Sequence, residues 1–238
     1  MSKFHLLNIV SFILLLVILI TGNQLLISLV FLALAYMSIL ALGSIFIQFN
    51  FYFRSLNRAP TTQKIIALTF DDGPDPEISP IILELLVKYN MKATFFCVGK
   101  KIADNVNLLQ KIDESGHLIG NHSFSHSNYF SLSSSKKIKL ELDKTTELIT
   151  KSIGKKPRLF RPPFGVSNPS IATALKKTGL VSVGWSLRSL DTVSSSEKVL
   201  RKLKRKLKSG DVILFHDNRK NTPEILESFL LWLDETHF

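Results

Sequence analysis

Leu68-Thr69-Phe70-Asp71-Asp72-Gly73-Pro74-Asp75-Pro76 is the stretch on which the reading of this chain turns. The run in front of it, Lys64-Ile65-Ile66-Ala67-Leu68, is short, apolar and bounded by polar residues, which predicts a buried strand. Gly73-Pro74 and Asp75-Pro76 then demand a turn. From Glu77 onward, Ile78, Ile81, Ile82, Leu85 and Leu86 recur at the spacing of one helix face. Asp71 and Asp72 therefore fall on a strand-to-helix loop. Carboxylates on consecutive residues repel unless they share a cation, a proton or an arginine. Taken alone, the doublet fits a solvated turn equally well, because Asp, Gly and Pro are ordinary turn residues.

The same alternation continues outward from this stretch. Strands are predicted at 64–70, 92–98, 117–121, 158–161, 180–187 and 211–215, and helices at 77–90, 100–114, 134–152, 169–178, 196–208 and 223–235. Strands alternating with helices point to an α/β domain with a mainly parallel sheet. The six units fall short of the eight that close a regular barrel. Residues 63–238 are read as this domain and residues 51–62 as a link leading into it.

The polar residues gather at one edge of that framework. The third strand runs into Gly120-Asn121-His122-Ser123-Phe124-Ser125-His126, whose two histidines would face the same way on a helical turn and could bind one metal ion. Arg161-Pro162-Pro163-Phe164-Gly165 is a rigid run at the exit of the fourth strand. Val212-Ile213-Leu214-Phe215 ends in His216-Asp217. Any of these groups alone is unremarkable on a surface loop. All four at the C-terminal ends of strands, the functional edge of parallel α/β folds, point to a metal-dependent active site.

The first fifty residues of the 238 contain one Lys, no Arg and no acid. Apolar runs at 6–20 and 25–49 flank Thr21-Gly22-Asn23-Gln24, so residues 1–50 are read as a membrane anchor. The second run exceeds the roughly 20 residues that cross a bilayer. The first is either a second span or the apolar region of a signal sequence. The formal charge of +11 thus falls on the remainder, with its densest cluster at Arg201-Lys202-Leu203-Lys204-Arg205-Lys206-Leu207-Lys208, a helix with a basic outer face. No nucleic-acid-binding motif accompanies it. Cys97, the only cysteine, lies in an apolar strand and reads as a core residue.

In that order, Thr69-Phe70-Asp71-Asp72-Gly73-Pro74, His122-Ser123-Phe124-Ser125-His126, Arg161-Pro162-Pro163-Phe164-Gly165 and Leu214-Phe215-His216 resemble the motifs of polysaccharide deacetylases. This is the NodB-homology family, carbohydrate esterase family four. The resemblance covers about residues 60 to 236. It implies a distorted, incompletely closed (β/α) barrel and metal-dependent removal of acetyl groups from N-acetylated sugars. Carried over residue by residue, it makes Asp71 the general base and Asp72, His122 and His126 the metal ligands. It further implies that Arg161 orients the base, that His216 is the general acid and that Asp191 holds His216. Pro163, Phe164, Trp185 and Leu214 become candidates for substrate binding, with core packing an equal reading for Trp185 and Leu214. Zinc is the first choice of metal, and cobalt, nickel or iron would suit the same donors.

Two departures from the family pattern bear on substrate and closure. The fourth motif usually ends Asp-Trp; here Trp185-Ser186-Leu187-Arg188-Ser189-Leu190-Asp191-Thr192 has Thr192 in place of the Trp, and Arg188 where an acid is frequent. The chain stops at Phe238, where relatives commonly continue into another strand, which puts closure of the barrel on that side in question. Expected partners are an N-acetylated glycan and membrane lipid. On orientation two arguments conflict. Lys3, Arg54, Arg58 and Lys64 favour the cytoplasmic side if both runs span, whereas the resemblance favours a domain outside the cytoplasm, which is the expectation adopted.

Overall fold

A computed structural model describes residues 2–22 and 24–236; Asn23 in the expected interhelical turn and the terminal Phe238 lie outside the described residues. The chain opens with two helices, α1 (Lys3–Thr21) and α2 (Leu25–Ile45), and then a first short strand, β1 (Ser55–Leu56). There follow β2 (Ala67–Asp71), α3 (Ile78–Lys88), β3 (Ala93–Cys97), α4 (Gly99–Asp104), α5 (Val106–Glu114), β4 (Leu118–Asn121), α6 (Ser135–Ile153) and β5 (Leu159–Phe160). The remainder is α7 (Pro169–Thr178), β6 (Val181–Val183), β7 (Leu187–Arg188), α8 (Ser196–Lys206), β8 (Val212–His216) and α9 (Thr222–Glu235). All strand pairs of the sheet are parallel, in the order β1-β6-β5-β4-β3-β2-β8-β7.

Side chains alternate between the two faces of a strand, and here the two faces have different jobs. Leu68, Phe70, Phe95, Cys97, Ile213 and Phe215 share one core with apolar residues of α3, α5, α8 and α9. On the other face Phe96, Val183 and Val212 pack together inside the curl of the sheet. Thr69 and Asp71 share that inner parity on β2, as do Leu214 and His216 on β8. The two-residue period therefore carries Asp71 and His216 to the inner rim at the C-terminal ends of adjacent strands.

Closure of the curl follows from covalent geometry. β6 and β7 lie near opposite ends of the hydrogen-bonded order, yet only Gly184-Trp185-Ser186 joins them. A chain extends at most about 3.6 Å per residue, so the two edges must meet. Gly184 N–H donates to Leu56 O at 3.0 Å on one side, and Ser186 N–H to Val212 O at 3.0 Å on the other. The strand expected at 180–187 is thus two short strands around this crossing. The stretch read as a link also belongs to the sheet. β1 pairs with β6, Arg58 forms an isolated bridge with Asp211, and Ala59 N–H donates to Gly210 O at 2.8 Å. An incompletely closed barrel results, its gap crossed by chain rather than by a full ladder. The helix expected at 100–114 breaks at Asn105 into α4 and α5.

α1 and α2, of 19 and 21 residues, are each long and apolar enough to cross a membrane; at 1.5 Å per residue they reach about 30 Å. They lie side by side, with Tyr36 Oη donating to Asn8 Oδ1 at 2.9 Å. The foot of α2 is fixed to the barrel. Ser167 Oγ donates to Gly43 O and Ser167 N–H to Ser44 O, both at 2.9 Å, and Ile47 is buried against Trp185 and Leu214.

Candidate active site

β2 delivers both acids of the doublet, but they face different partners. Asp71 Oδ1 accepts from Arg161 Nη1 at 2.7 Å. The Arg161 guanidinium is fully buried and donates to Thr69 Oγ1, Val183 O and Gly184 O at 2.8, 3.1 and 2.7 Å. Its planar face lies 4.2 Å from the Phe96 ring centroid. A guanidinium so completely bonded has one position, and it holds the Asp71 carboxylate with Oδ2 left toward the histidines.

Asp72 takes the left-handed backbone conformation, φ 77°, which turns its carboxylate away from Arg161. Asp72 Oδ1 lies 3.5 Å from His122 Nε2 and 3.2 Å from His126 Nε2, and one donor atom from each of the three residues falls within 4.8 Å of the others. Bonds of about 2.0–2.2 Å to a tetrahedral ion place donors some 3.4 Å apart, and the two separations from Asp72 match that spacing. His122 Nδ1 lies 2.8 Å from Arg161 O, a contact that puts the ring proton on Nδ1 and leaves Nε2 a lone pair for the metal. Burial works to raise the Asp72 carboxyl, but a protonated His122 beside it, aided by His126 and His216, holds it far below its ordinary range, and Asp71 and Asp72 in turn raise His122 against burial, so that a metal at Nε2 would displace that proton. His126 is lowered, by burial and then by the charge of His122. A low-lying carboxylate and a neutral imidazole are the forms that bind metal.

The histidines are not aligned by the expected helical turn. Ser123 and His126 both take positive φ, 62° and 47°, in an irregular loop. Its shape is set by Glu141 of α6, whose Oε2 accepts from Phe124 N–H, Ser125 N–H and Ser125 Oγ at 3.1, 2.8 and 2.9 Å. Ser123 N–H donates to Asn121 Oδ1 at 2.9 Å and His126 N–H to Ser123 Oγ at 3.1 Å. Local polar bonds replace helical ones, and both rings still reach Asp72. Glu141 carries no signal in the sequence, since it lies mid-helix among ordinary charges.

His216 closes the other side. Its Nδ1 lies 2.8 Å from Asp191 Oδ1, and its backbone N–H donates to Asp191 Oδ2 at 2.8 Å. Ser189 and Thr222 hydroxyls donate to the same carboxylate, each at 2.9 Å. Burial opposes the charge on His216, but the hydrogen bond and charge of Asp191, with Asp71 and Asp72 beyond, raise its pKa. Asp217 next to it is buried, and burial pushes its carboxyl up to about 7 against the opposing Ser79 hydrogen bond. Gly73 leaves room for that side chain, since a Cβ there would lie 1.9 Å from Asp217 Oδ2.

These groups open into one cavity of about 190 Å³. Phe164, Trp185 and Leu214 line it, while Pro163 is buried beneath the loop. Phe164 (φ 60°) and Gly165 (φ 69°) turn the loop sharply, and a Cβ on Gly165 would meet the Trp185 ring at 2.1 Å. Thr192 and Arg188, the two departures in the fourth motif, also line the cavity, joined by Arg219, which the sequence did not single out.

The sequence profile of polysaccharide deacetylases matches residues 58–183. A peptidoglycan-N-acetylglucosamine deacetylase of Bacillus cereus is 35% identical over 179 residues, which are 74% of this chain and 83% of that enzyme. The peptidoglycan-N-acetylmuramic acid deacetylase PdaA of Bacillus subtilis is 31% identical over 70% of this chain and 65% of its own length. Among solved structures, a family 4 carbohydrate esterase pseudoenzyme from Bacillus anthracis superposes with a TM-score of 0.72 at 27% identity, covering 78% of this chain and 66% of that one. With the motifs gathered around one cavity and these likenesses spanning more than half of the chain, it belongs to the polysaccharide deacetylase family, hydrolases that act on the amide bonds of N-acetylated sugars.

Proposed function

We propose that this chain is a metal-dependent deacetylase of N-acetylated sugars in a cell-envelope or exported polysaccharide, with Asp71 as general base and His216 as general acid. The observation that carries this reading is the placement of a bonded carboxylate and a bonded imidazole on either side of three metal-compatible donors, Asp72, His122 and His126. Zinc suits a donor set of two imidazoles and one carboxylate with positions left open. When bound, such an ion supplies Lewis acidity to the acetyl carbonyl and lowers the pKa of water.

The chain's own residues do the rest. Asp71, held through Oδ1 by Arg161, accepts the proton of the attacking water on Oδ2. The water oxygen bonds to the acetyl carbon, and the developing oxyanion needs a donor, for which the Phe164 N–H on the sharply turned loop is suited. The C–N bond then breaks toward the sugar. His216, protonated on Nε2 and held through Nδ1 by Asp191, gives its proton to the departing amine. Acetate and the free amino sugar are the products. Trp185 and Leu214 form an apolar wall suited to the acetyl methyl.

A second reading is a membrane-anchored carbohydrate-binding protein without turnover, to which the pseudoenzyme neighbour gives substance. It leaves the full set of proton-transfer groups without a purpose. An amidase of a non-sugar substrate is the other rival, motivated by Arg188 and Thr192. Acetate release from N-acetylated glycans by the purified chain, abolished by chelation and restored by Zn²⁺, is the expected result. Glycan binding without acetate release favours the binding protein, and release only from small non-sugar acetamides favours the amidase.

The two apolar helices are read here as a hairpin anchor, and the catalytic domain as facing outside the cytoplasm, where such a polymer lies. Both feet of the hairpin meet on the domain's side: Phe4 N–H donates to Phe51 O at 3.2 Å, and Lys3 Nζ to Phe49 O at 2.7 Å. The few cations near those feet favour the opposite orientation, and the substrate outweighs them. Protease added to cells with the outer face exposed should cleave residues 60–238. Protection until lysis contradicts this orientation.

A further inference from the structure

The cavity has a second chemical character that the deacetylation step does not use. One wall is apolar, formed by Phe164, Trp185 and Leu214, and the rim beyond it carries Arg188 and Arg219. Arg188 sits at the end of β7, in register with Leu214 of β8; Arg219 follows three residues after His216 in the next loop. Both are exposed. Among the described residues, neither guanidinium has a hydrogen-bond or ion-pair partner, whereas each acid of the site has one already. Asp71 is bonded to Arg161, Asp72 faces the two histidines, and Asp191 is bonded to His216. The arginines are therefore not there to balance the catalytic acids.

Further cations lie beside Arg188. Lys202 Nζ donates to the Arg188 carbonyl, and its ammonium is lowered by burial and then by the charges of Lys206 and Arg188. Arg201, Lys204 and Arg205 continue the basic face of α8. Unpaired guanidiniums at the mouth of a partly enclosed cavity concentrate anions there, and the planar fork of Arg matches a carboxylate in two parallel hydrogen bonds. A neutral amino-sugar chain offers these groups hydroxyl and acetamide oxygens but no opposite charge.

We propose that Arg188 and Arg219 form a cationic subsite for a carboxylate carried by the sugar chain beside the acetamide that is removed, which makes acidic N-acetylated glycans the preferred substrate class. The inference rests on the deacetylase reading and adds the substrate's charge to it. Arg188 and Arg219 are specificity residues in this account, outside the proton transfers.

The test uses the full chain with Zn²⁺ and two strands of identical backbone. In one, alternate N-acetyl sugars carry a lactyl ether carboxylate; in the other, those carboxyls have been reduced to alcohols. The expected ratio of kcat/KM, carboxylated over reduced, is about tenfold at low salt, the scale of one charge-assisted contact. It should shrink as ionic strength rises, fall toward one in Arg188→Ala/Arg219→Ala, and be partly kept in Arg188→Lys/Arg219→Lys. A ratio near one in the native chain, or an unchanged ratio in the double Ala variant, overturns the proposal. Titration of both strands into the native chain decides the matter without turnover: salt-sensitive, tighter binding of the carboxylated strand supports the subsite, and equal binding overturns it. Absence of acetate release from either strand would sink the deacetylase reading alone, because the titration still reports on the arginines.

Discussion

Asp71 and His216 are register partners, the last residues of adjacent parallel strands β2 and β8. Neighbouring strands lie about 4.8 Å apart, and both side chains share the inner parity, so a carboxylate and an imidazole face one cavity without any loop having to fold them together. Each is then fixed from behind by a buried partner of opposite character, Arg161 for Asp71 and Asp191 for His216. The proposed base and acid thus stand on paired strand ends rather than on loops.

The pH profile should report the His216–Asp191 pair. His216 must be protonated to act as an acid, and Asp191 raises its pKa, so this pair sets the alkaline limb of the profile. Asp191→Asn keeps the shape and removes the charge. The alkaline limb should move to lower pH and the maximal rate should fall. An unchanged limb at an unchanged rate would remove Asp191 from the site.

Glu141 should act on metal affinity while touching no metal donor. One of its oxygens accepts three of the hydrogen bonds that shape the loop between His122 and His126. Loss of such support weakens metal binding by about 10–100-fold. That is the drop expected for Glu141→Ala in competition with a chelator, with a smaller one for Glu141→Gln, which keeps an acceptor oxygen. Equal affinity in all three proteins would reduce Glu141 to a surface charge.

Ile47 links the apolar N-terminal hairpin to the cavity wall. It is buried against Trp185 and Leu214, and its Cγ2 lies 3.1 Å from where a Cβ on Gly184 would be. Ile47→Ala should destabilise the chain by about 2–4 kcal/mol through the cavity it leaves. It should also raise KM more than it lowers kcat, since Trp185 loses its backing while Asp71 and His216 keep theirs. Denaturant unfolding and steady-state kinetics measure the two effects. Unaltered KM with lowered stability would make Ile47 a packing residue only.

The parts legible in the sequence were those with a period or a motif. Alternation of strand and helix predicted a parallel α/β sheet, and the polar clusters at strand ends marked its working edge. What escaped notice depends on contacts distant along the chain. β1 has two residues, too few for a pattern, and exists only because β6 offers it a ladder. The break at Gly184-Trp185-Ser186 lies inside a run whose composition suits one strand, and closure of the curl alone divides it. The i, i+4 spacing of His122 and His126 suggested a helical turn, but Glu141 offered the loop's backbone donors a better acceptor. Gly73 read as a turn residue, and its further use, space for the buried Asp217 carboxyl, appears only when β2 and β8 are side by side.

The division of labour between Asp71 and Asp72 is the centre of this account, and metal content measured beside acetate release in single variants tests it most directly. Asp71→Asn should retain the bound ion and lose turnover, because Asp71 is bonded to Arg161 and stands outside the donor triad. His122→Ala and His126→Ala should lose ion and turnover together, since each removes one of three protein donors. An Asp71→Asn protein that loses its metal along with its activity would contradict the assignment of base and ligand.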